Sequence, residues 1–463
     1  MLLLRFYPRN LGLSKRYFSH KSAILYSQNK INDTDLQTEQ IHSSYDIIIN
    51  GGGIVGFSFL AAIKTLPYLS TRKVLLIEQQ PEPKFPPKIA QTKRIFGNRV
   101  SAITEASKQF FDSIGVWDEL KRDAKQVDAM HVWTDHYRNA VHFENLDSTS
   151  SNGMWPTCYI VENSKMIRAL YEKINEIMID QIQVRYGTTV CDIEQITSIP
   201  SFRDDQTSEI ELKLKDNENE TLRTKLLIGC DGFKSLVRTK SDLPYYNFDI
   251  NQMGIVGTLE ITSPYPNNSV AFQRFQRKST IDRALSEIGN KIQSQPSNLF
   301  QHQTPPIVNA TIAGSRAAFP LGFGTTAPRL VGTIQARNFM NRDIARSQNF
   351  LNTVIMGDAA HRVHPLAGQG LNLGLGDAAE LAYQIETCLS NGFNPFGFTA
   401  DSSESLSDSL RQFERNRIAK LIPMMGAIQS VQTMMSWTPA SALSILDSLP
   451  WVKTQMVKFA NSR

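Results

Sequence analysis

Apolar residues along this chain fall into short runs that stop at glycine turns, a punctuation that predicts strands feeding into helices. Tyr45-Asp-Ile-Ile-Ile-Asn50 is a β-rich run ending at Gly51-x-Gly53-x-x-Gly56, with an apolar helix following to Lys64. Val74-Leu-Leu-Ile-Glu78 predicts a second strand. Leu226-Leu-Ile-Gly229 is another, closed by Cys230-Asp231-Gly232, with Ser235 and Arg238 at helical spacing beyond it. Thr353-Val-Ile-Met356 reads as a buried strand that ends in Gly357-Asp358. A loop carrying Pro365, Gly368 and Gly370 follows, and then an Ala/Leu/Gly-rich helix start. Around Met130-His-Val-Trp133 and Ala140-Val-His-Phe143 the pattern alternates, which predicts strands of an antiparallel sheet. The chain beyond residue 395 reads as helices broken at Pro423, Pro439 and Pro450. Ser148 to Ser151 and the Ser/Asp/Glu run at 401–409 read as surface loops.

The glycine turns carry the candidate chemistry. Strand, GxGxxG, helix, second strand and a terminal acid are the dinucleotide-binding fingerprint in its proper order. Gly51 makes the tight turn, Gly53 lets a pyrophosphate approach, and Gly56 lets helix and strand pack. Glu78, 22 residues past the last of them, would bind the adenosine ribose hydroxyls. Ile47 to Ile63 is apolar enough to suggest a membrane span, but its three glycines and the adjacent Asp46 argue for a buried βα unit. The Gly357–Gly370 loop can press bare backbone against a flat ring system. The helix after it aims N–H groups and a positive dipole end at an anion, and Asp358 can accept from sugar hydroxyls. Asp231-Gly232 alone is an ordinary turn dipeptide and gains meaning only from its place between the other two motifs.

In that order, Gly357 to Ala378 resembles the second flavin-contacting motif of the para-hydroxybenzoate-hydroxylase-like FAD monooxygenases. Asp231-Gly232 resembles the family's middle motif, which touches the pyrophosphate and is linked to nicotinamide contact. Asn98-Arg99-Val-Ser-Ala102 is similar to the segment holding the family arginine near the flavin, and Tyr159 to Asn163 to the start of a helix packed on the nucleotide domain. Within that family, His361-Arg-Val-His-Pro-Leu-Ala-Gly-Gln-Gly-Leu-Asn-Leu-Gly374 and Phe413-Glu-Arg-Asn-Arg417 resemble the ring hydroxylases of ubiquinone biosynthesis.

The resemblance implies an α/β (α+β) fold: a Rossmann-like FAD-binding domain interleaved with an antiparallel-sheet substrate domain, and a helical C-terminal tail. The FAD domain would comprise residues 45–125, 159–242 and 346–395, the substrate domain 126–158 and 243–345, and the tail 396–463. FAD would be held by Gly51, Gly53, Gly56, Glu78, Arg99, Asp231, Gly232, Gly357, Asp358, Gly368, Gly370, Leu371 and Asn372. Pro365, Gly368, Gln369 and Gly370 would form the flavin-proximal loop where the chemistry occurs, with no catalytic base assigned and no metal. His361 and His364 either tune protonation there or make structural hydrogen bonds. The implied reaction is hydroxylation of a polyprenylated 4-hydroxybenzoate-type ring, ortho to the phenol oxygen, by molecular oxygen. Electrons would come from NADPH or from a ferredoxin and its reductase, alongside other coenzyme Q synthesis proteins at the inner membrane. Two alternatives stay open: a non-catalytic FAD-holding subunit, and a same-fold epoxidase or prenyl-chain reductase.

One departure stands out. After Ala271-Phe-Gln-Arg-Phe275 the relatives continue with a glycine/proline-containing strand pair close to the flavin, whereas this chain runs into the polar, helical-looking Gln276 to Gln295. This departure reads as an incorrect gene model or a splice variant, or else as a rebuilt pocket.

Composition then sets bounds. The 463 residues suffice for two interleaved domains, and 41% hydrophobic with 20% charged residues is ordinary for a globular protein. Residues 1–32 hold Arg5, Arg9, Lys15, Arg16, Lys21 and Lys30 with no acid before Asp33, the composition of a mitochondrial targeting peptide. A cut after Phe18 removes four of those charges and takes the formal net charge from +5 to +1, so no nucleic-acid partner is implied. Cys158, Cys191, Cys230 and Cys388 are scattered without a CxxC pair, which reads as buried thiols rather than zinc ligands or disulfides. The tail's Met424, Met425, Met434, Met435, Trp437 and Trp451 read as core, or else as a face for a membrane or partner.

Overall fold

The computed structural model describes residues 41–86, 97, 99–127, 129–133, 140–144, 158–197, 208–215, 220–241, 254–259, 270–275, 308–313, 352–362, 369–397 and 400–437. All belong to one unit, Gln40–Arg463. The targeting segment, Asn98, His364, Pro365, Gly368, Pro439, Pro450 and the stretch following Phe275 lie outside the described residues.

The fifteen described strands, in chain order, are β1 (Ile41–Asn50), β2 (Val74–Glu78), β3 (Val100–Ile103), β4 (Lys125–Val127), β5 (Ala129–Trp133), β6 (Ala140–Glu144), β7 (Cys158–Glu162), β8 (Ile182–Tyr186), β9 (Val190–Thr197), β10 (Ser208–Leu214), β11 (Glu220–Gly229), β12 (Gly254–Leu259), β13 (Val270–Phe275), β14 (Val308–Ala313) and β15 (Thr353–Ile355). The helices are α1 (Ile54–Thr65), α2 (Glu105–Ser113), α3 (Trp117–Leu120), α4 (Asn163–Glu176), α5 (Leu236–Lys240), α6 (Gly370–Ser390) and α7 (Ala400–Trp437).

Seven strands form the largest sheet, in the order β8-β2-β1-β11-β10-β9 with β15 also on β11. Strand β11 changes neighbours along its length: its first half pairs antiparallel with β10, its last three residues parallel with β15. At the carboxyl end the sheet therefore reads β8-β2-β1-β11-β15, all parallel. Parallel strands covered on both faces must be apolar throughout, and Ile47, Ile48, Ile49, Leu75, Leu76, Leu227, Ile228 and Val354 are all fully buried. Register then brings the three glycine turns together, because Asn50 lies opposite both Ile77 and Gly229, and Gly229 opposite Ile355. Ligands of open α/β sheets bind just outside such carboxyl ends.

Helix α1 carries β1 over to β2 and is apolar nearly all round, with Phe57 to Ile63 buried. At its end Lys64 Nζ donates to the carbonyls of Ile174 and Ile177, both at 2.7 Å, capping the C-terminus of α4. A cation there satisfies orphan carbonyls and complements the helix dipole. Lys64→Met is expected to lower stability by about 1 kcal/mol in urea unfolding; an unchanged midpoint and slope would show that the cap contributes nothing.

A five-stranded sheet, β12-β14-β13-β5-β6, gathers strands far apart in the chain. Its outer pairings are antiparallel, as the alternating pattern predicts, while β13 pairs parallel with both β14 and β5. Local alternation shows that a strand has two unlike faces but not the direction of a partner brought in from over 100 residues away. A small antiparallel sheet, β3-β7-β4, carries Arg99 at its rim.

Two expectations for the tail are corrected. Helix α7 runs from Ala400 to Trp437 with Pro423 inside it, and the 401–409 run is helical rather than loop. Proline forfeits one hydrogen bond and strains a helix without obliging it to stop. Leu406, Leu410, Phe413, Arg417 and Leu421 are buried at helical spacing, and this stripe holds α7 against the core whatever the serines between them prefer. Met424 packs against the core; the other tail methionines and tryptophans offer no described side chain. Cys158 and Cys388 are buried, whereas Cys191 is exposed on β9, contrary to the expectation of four buried thiols. Burial pushes the Cys158 thiol up to about 12.

Candidate FAD site

The first turn is built by close approach. Gly51 has φ +113°, and a Cβ placed on it would lie 2.4 Å from the Cys230 carbonyl oxygen. At Gly56 an added Cβ would sit 2.0 Å from the Gly51 carbonyl oxygen, so helix α1 can start this close to β1 only without a side chain there. Gly53 is different: it is exposed and a Cβ on it would meet nothing within 4 Å. The three glycines thus do three jobs: turn, open approach and helix packing. Glu78 stands at the end of β2 with Oε2 accepting from Gly52 N–H at 2.5 Å and Oε1 from Gln80 N–H at 2.7 Å. Two backbone donors fix the carboxylate beside the turn, and each oxygen keeps a lone pair for a ligand hydroxyl.

The second turn leans on the first. Cys230 N–H donates to the Asn50 carbonyl at 2.7 Å. Asp231 Oδ2 accepts from Leu236 N–H at 2.7 Å, Val237 N–H at 3.2 Å and Asn50 Nδ2 at 3.3 Å. Much of this carboxylate is therefore spent on starting α5 and tying it to β1. Its other oxygen, Oδ1, is shielded from solvent and has no partner among the described residues. Burial raises the Asp231 pKa above the usual carboxylate value. Gly232 has φ +74° with open space beyond it.

The third turn is fixed from several sides. Met356 N–H donates to the Gly229 carbonyl at 2.9 Å, and Gly357 turns at φ +59° against Val55. Arg238 Nη1 donates to the Ala359 carbonyl at 2.8 Å and Nη2 to that of Phe233 at 2.7 Å, joining the second and third turns. Arg362 adds its guanidinium carbon 4.4 Å from the Phe233 ring centroid. His361 is fully buried, its Nε2 2.6 Å from Asp377 Oδ2, which places it in the structural alternative. Asp358 is half-buried at the turn.

Helix α6 opens next to these turns. Its first N–H groups, from Gly370, Leu371 and Asn372, project from the N-terminus that a 21-residue helix makes electropositive. The Asn372 side chain is already engaged: Nδ2 donates to the Ala102 carbonyl at 2.8 Å and Oδ1 accepts from Thr104 N–H at 3.1 Å. It anchors α6 to β3 and the start of α2, so its contribution toward a ligand is through the backbone. Gln369 is buried as the N-cap without a side-chain cap bond. Arg99 is exposed at the rim of the small sheet, with its carbonyl accepting from Asn163 N–H at 3.0 Å.

Sequence reasoning passed over Asp377 and gave Arg417 no role at the site. Asp377 is fully buried and receives Gly357 N–H at 3.0 Å, His361 Nε2 at 2.6 Å and Arg417 Nε at 2.7 Å. Burial opposes its ionisation, but the His361 and Arg417 charges and these hydrogen bonds outweigh it, so its pKa lies below the usual value. The available signal was an aspartate inside a run of Gly, Ala and Leu, a position where an unpaired carboxylate is not tolerated.

These residues fit FAD. An open glycine suited to a pyrophosphate, a carboxylate fixed where it could take ribose hydroxyls, and an electropositive helix start beside the Gly357 turn all border one sheet end.

The family model described as "FAD binding domain" matches residues 88–392, a span containing the second and third turns. The chain belongs to this family. FAD is accordingly its cofactor. Among curated proteins, ubiquinone biosynthesis monooxygenase COQ6, mitochondrial, from Xenopus tropicalis is 28% identical, covering 90% of this chain and 93% of that protein. The Drosophila melanogaster protein of the same name is 29% identical, covering 96% and 93%. Among solved structures, p-nitrophenol 4-monooxygenase PnpA from Pseudomonas putida shares the fold with a TM-score of 0.58 at 14% identity, covering 91% of this chain and 99% of that one. Among the described residues no helix is long and apolar enough to cross a membrane, and no cluster of His, Cys, Asp and Glu could hold a metal.

Proposed function

We propose that this chain is an FAD-dependent monooxygenase of ubiquinone biosynthesis. Its substrate is a polyprenylated 4-hydroxybenzoate-type ring, hydroxylated ortho to the phenol oxygen. The observation that carries the reading is the convergence of three flavin-type turns at one parallel sheet end, in a chain that covers 93% of the Xenopus tropicalis and Drosophila melanogaster COQ6 monooxygenases.

The reaction consumes molecular oxygen and two reducing equivalents, leaving one oxygen atom on the ring and the other as water. Bound FAD supplies that redox chemistry. The protein's part is binding, orientation and dryness. Gly51, Gly53 and Gly56 bring backbone to the pyrophosphate, and Glu78 takes the ribose hydroxyls. Asp358, in the third turn, would accept from sugar-like hydroxyls of the cofactor. The N–H groups that open α6 would stabilise negative charge on the bound ring system. The proposed substrate domain would exclude water from the reaction. The electron donor is NADPH or a ferredoxin with its reductase, and the setting is the matrix face of the mitochondrial inner membrane with other coenzyme Q synthesis proteins.

The test is a lipid-quinone profile of cells that lack their own ring hydroxylase and express this chain. Restored ubiquinone is expected. Accumulation of a prenylated ring lacking one oxygen, with FAD-loaded protein present in mitochondria, would overturn the catalytic reading.

A further inference from the structure

We infer that Asp377 is the positioning residue for the flavin-binding turn, and that through Arg417 it makes the C-terminal helix α7 part of the cofactor site. The inference rests on the FAD reading and assigns a role to Asp377, near the end of the second flavin motif, and to Arg417, which lies beyond it on α7.

A single buried carboxylate gathers three segments. Oδ2 accepts from the Gly357 N–H and pairs with His361, fixing the two ends of the Gly357–His361 turn. Oδ1 accepts from Arg417 Nε, which arrives from α7 forty residues on. Arg417 Nη2 also donates to the Leu373 carbonyl at 2.9 Å, in the first turn of α6. Room for the guanidinium comes from Gly376, where a Cβ would lie 2.9 Å from Arg417 Nη1. On the other flank Gly374 lets α6 close on Val55 of α1, where a Cβ would lie 2.7 Å from the valine methyl. The Ala/Leu/Gly character of α6 is thus a packing requirement on both sides: α1 at Gly374 and the arginine of α7 at Gly376.

Asp377 has no exposure, so it acts on a ligand only through the turn it holds. Gly357 sits at positive φ, and as a glycine it is free to leave that conformation unless something holds it there. The carboxylate supplies the missing constraint, and Arg417 keeps the carboxylate ionised and aimed. Removing either partner loosens the same turn. By linkage, FAD that binds the ordered turn must in return stabilise the docking of α7.

The experiment uses the full chain purified with FAD, comparing wild type with Asp377→Asn, Arg417→Met, Arg417→Lys and, as a control on the same helix, Lys420→Met. Lys420 is half-exposed and 3.8 Å from Glu380. The readouts are the FAD dissociation constant, the shape of the visible flavin band, and amide hydrogen exchange in α7 with and without FAD. Asp377→Asn and Arg417→Met should weaken FAD at least tenfold, within the ordinary range of coupling between sites, and should alter the flavin band. Arg417→Lys should recover part of the affinity, and Lys420→Met should stay within twofold of wild type. FAD should slow exchange in α7 of the wild type. The inference is overturned by folded variants with wild-type affinity and band shape, or by exchange in wild-type α7 that ignores FAD. The exchange arm decides even if the buried-site variants fail to fold. Wild type that binds no FAD would instead overturn the cofactor reading itself.

Discussion

Gly56→Ala is expected to yield a chain that purifies without flavin and unfolds early. The new methyl would lie 2.0 Å from the Gly51 carbonyl oxygen and 3.3 Å from Cys230 Cβ. Both obstacles belong to the sheet end that forms the site, and the nearer one is backbone. Overpacking a core usually costs about 1–3 kcal/mol, and a clash with backbone puts this substitution at or above the upper end. The helix must move away from β1, carrying Gly53 and the α1 N-terminus with it. Gly53→Ala is the informative companion, because its methyl would meet no protein atom within 4 Å. That variant should keep the stability of the flavin-free chain and lose flavin affinity alone. The checks are the ratio of flavin to protein absorbance after purification and the thermal midpoint of flavin-free protein. A fully flavinated Gly56→Ala with wild-type midpoint would show that helix α1 is not constrained by this contact.

The contrast between the two glycines reflects what a sequence carries. The spacing Gly51-x-Gly53-x-x-Gly56 and the acid at Glu78 report a local geometry, since strand, turn, helix and strand follow one another without interruption. That geometry is legible because neighbouring residues write it. The convergence of the Asp231 and Gly357 turns on the same sheet end was legible only through motif order, since β11 and β15 reach β1 from far along the chain. The arrangement of the second sheet was less so: parallel pairing of β13 with β5 joins residues about 140 positions apart, and alternation within each strand is silent about direction. The tail shows the opposite failure. Serines and a proline signalled loop and break, yet one buried stripe from Leu406 to Leu421 decided the matter, because apolar burial outweighs weak local propensities. Asn372 shows that motif membership does not specify which atoms face the ligand. Its amide is consumed by Ala102 and Thr104, leaving the backbone for binding. Asp377 escaped attention since its partners sit 16, 20 and 40 residues away and share no repeating pattern.

Arg417→Met should be the most destabilising single change in the tail, and its effect should depend on pH. The guanidinium is about as buried as the carboxylate it meets, with side-chain exposures of 5% and 0%. Deleting one partner of such a pair typically costs about 3–5 kcal/mol because the other charge stays buried without compensation. The depressed pKa of Asp377 sets the sign of the pH effect. A group whose folded pKa lies below its unfolded value, about 3.9 for aspartate, contributes stability that is fully present above that unfolded value. The contribution disappears as pH falls through the depressed folded value. Without Arg417, burial still opposes ionisation while one attractive charge is gone, so the folded pKa must rise. The variant's acid unfolding should therefore begin at higher pH than that of wild type. Because neutralising Asp377 relieves its buried charge, the gap between variant and wild type should be widest near neutral pH and narrow in acid. Urea unfolding of the flavin-free full chain across that range measures both effects. An Asp377→Asn/Arg417→Met double variant should be more stable than Arg417→Met alone near neutral pH, since it removes the under-compensated charge while its amide oxygen can still accept from the Gly357 N–H or His361. A loss below about 1 kcal/mol for Arg417→Met, with no shift of the acid transition, would place this pair among ion pairs of surface strength and remove α7 from the scaffold of the flavin turn.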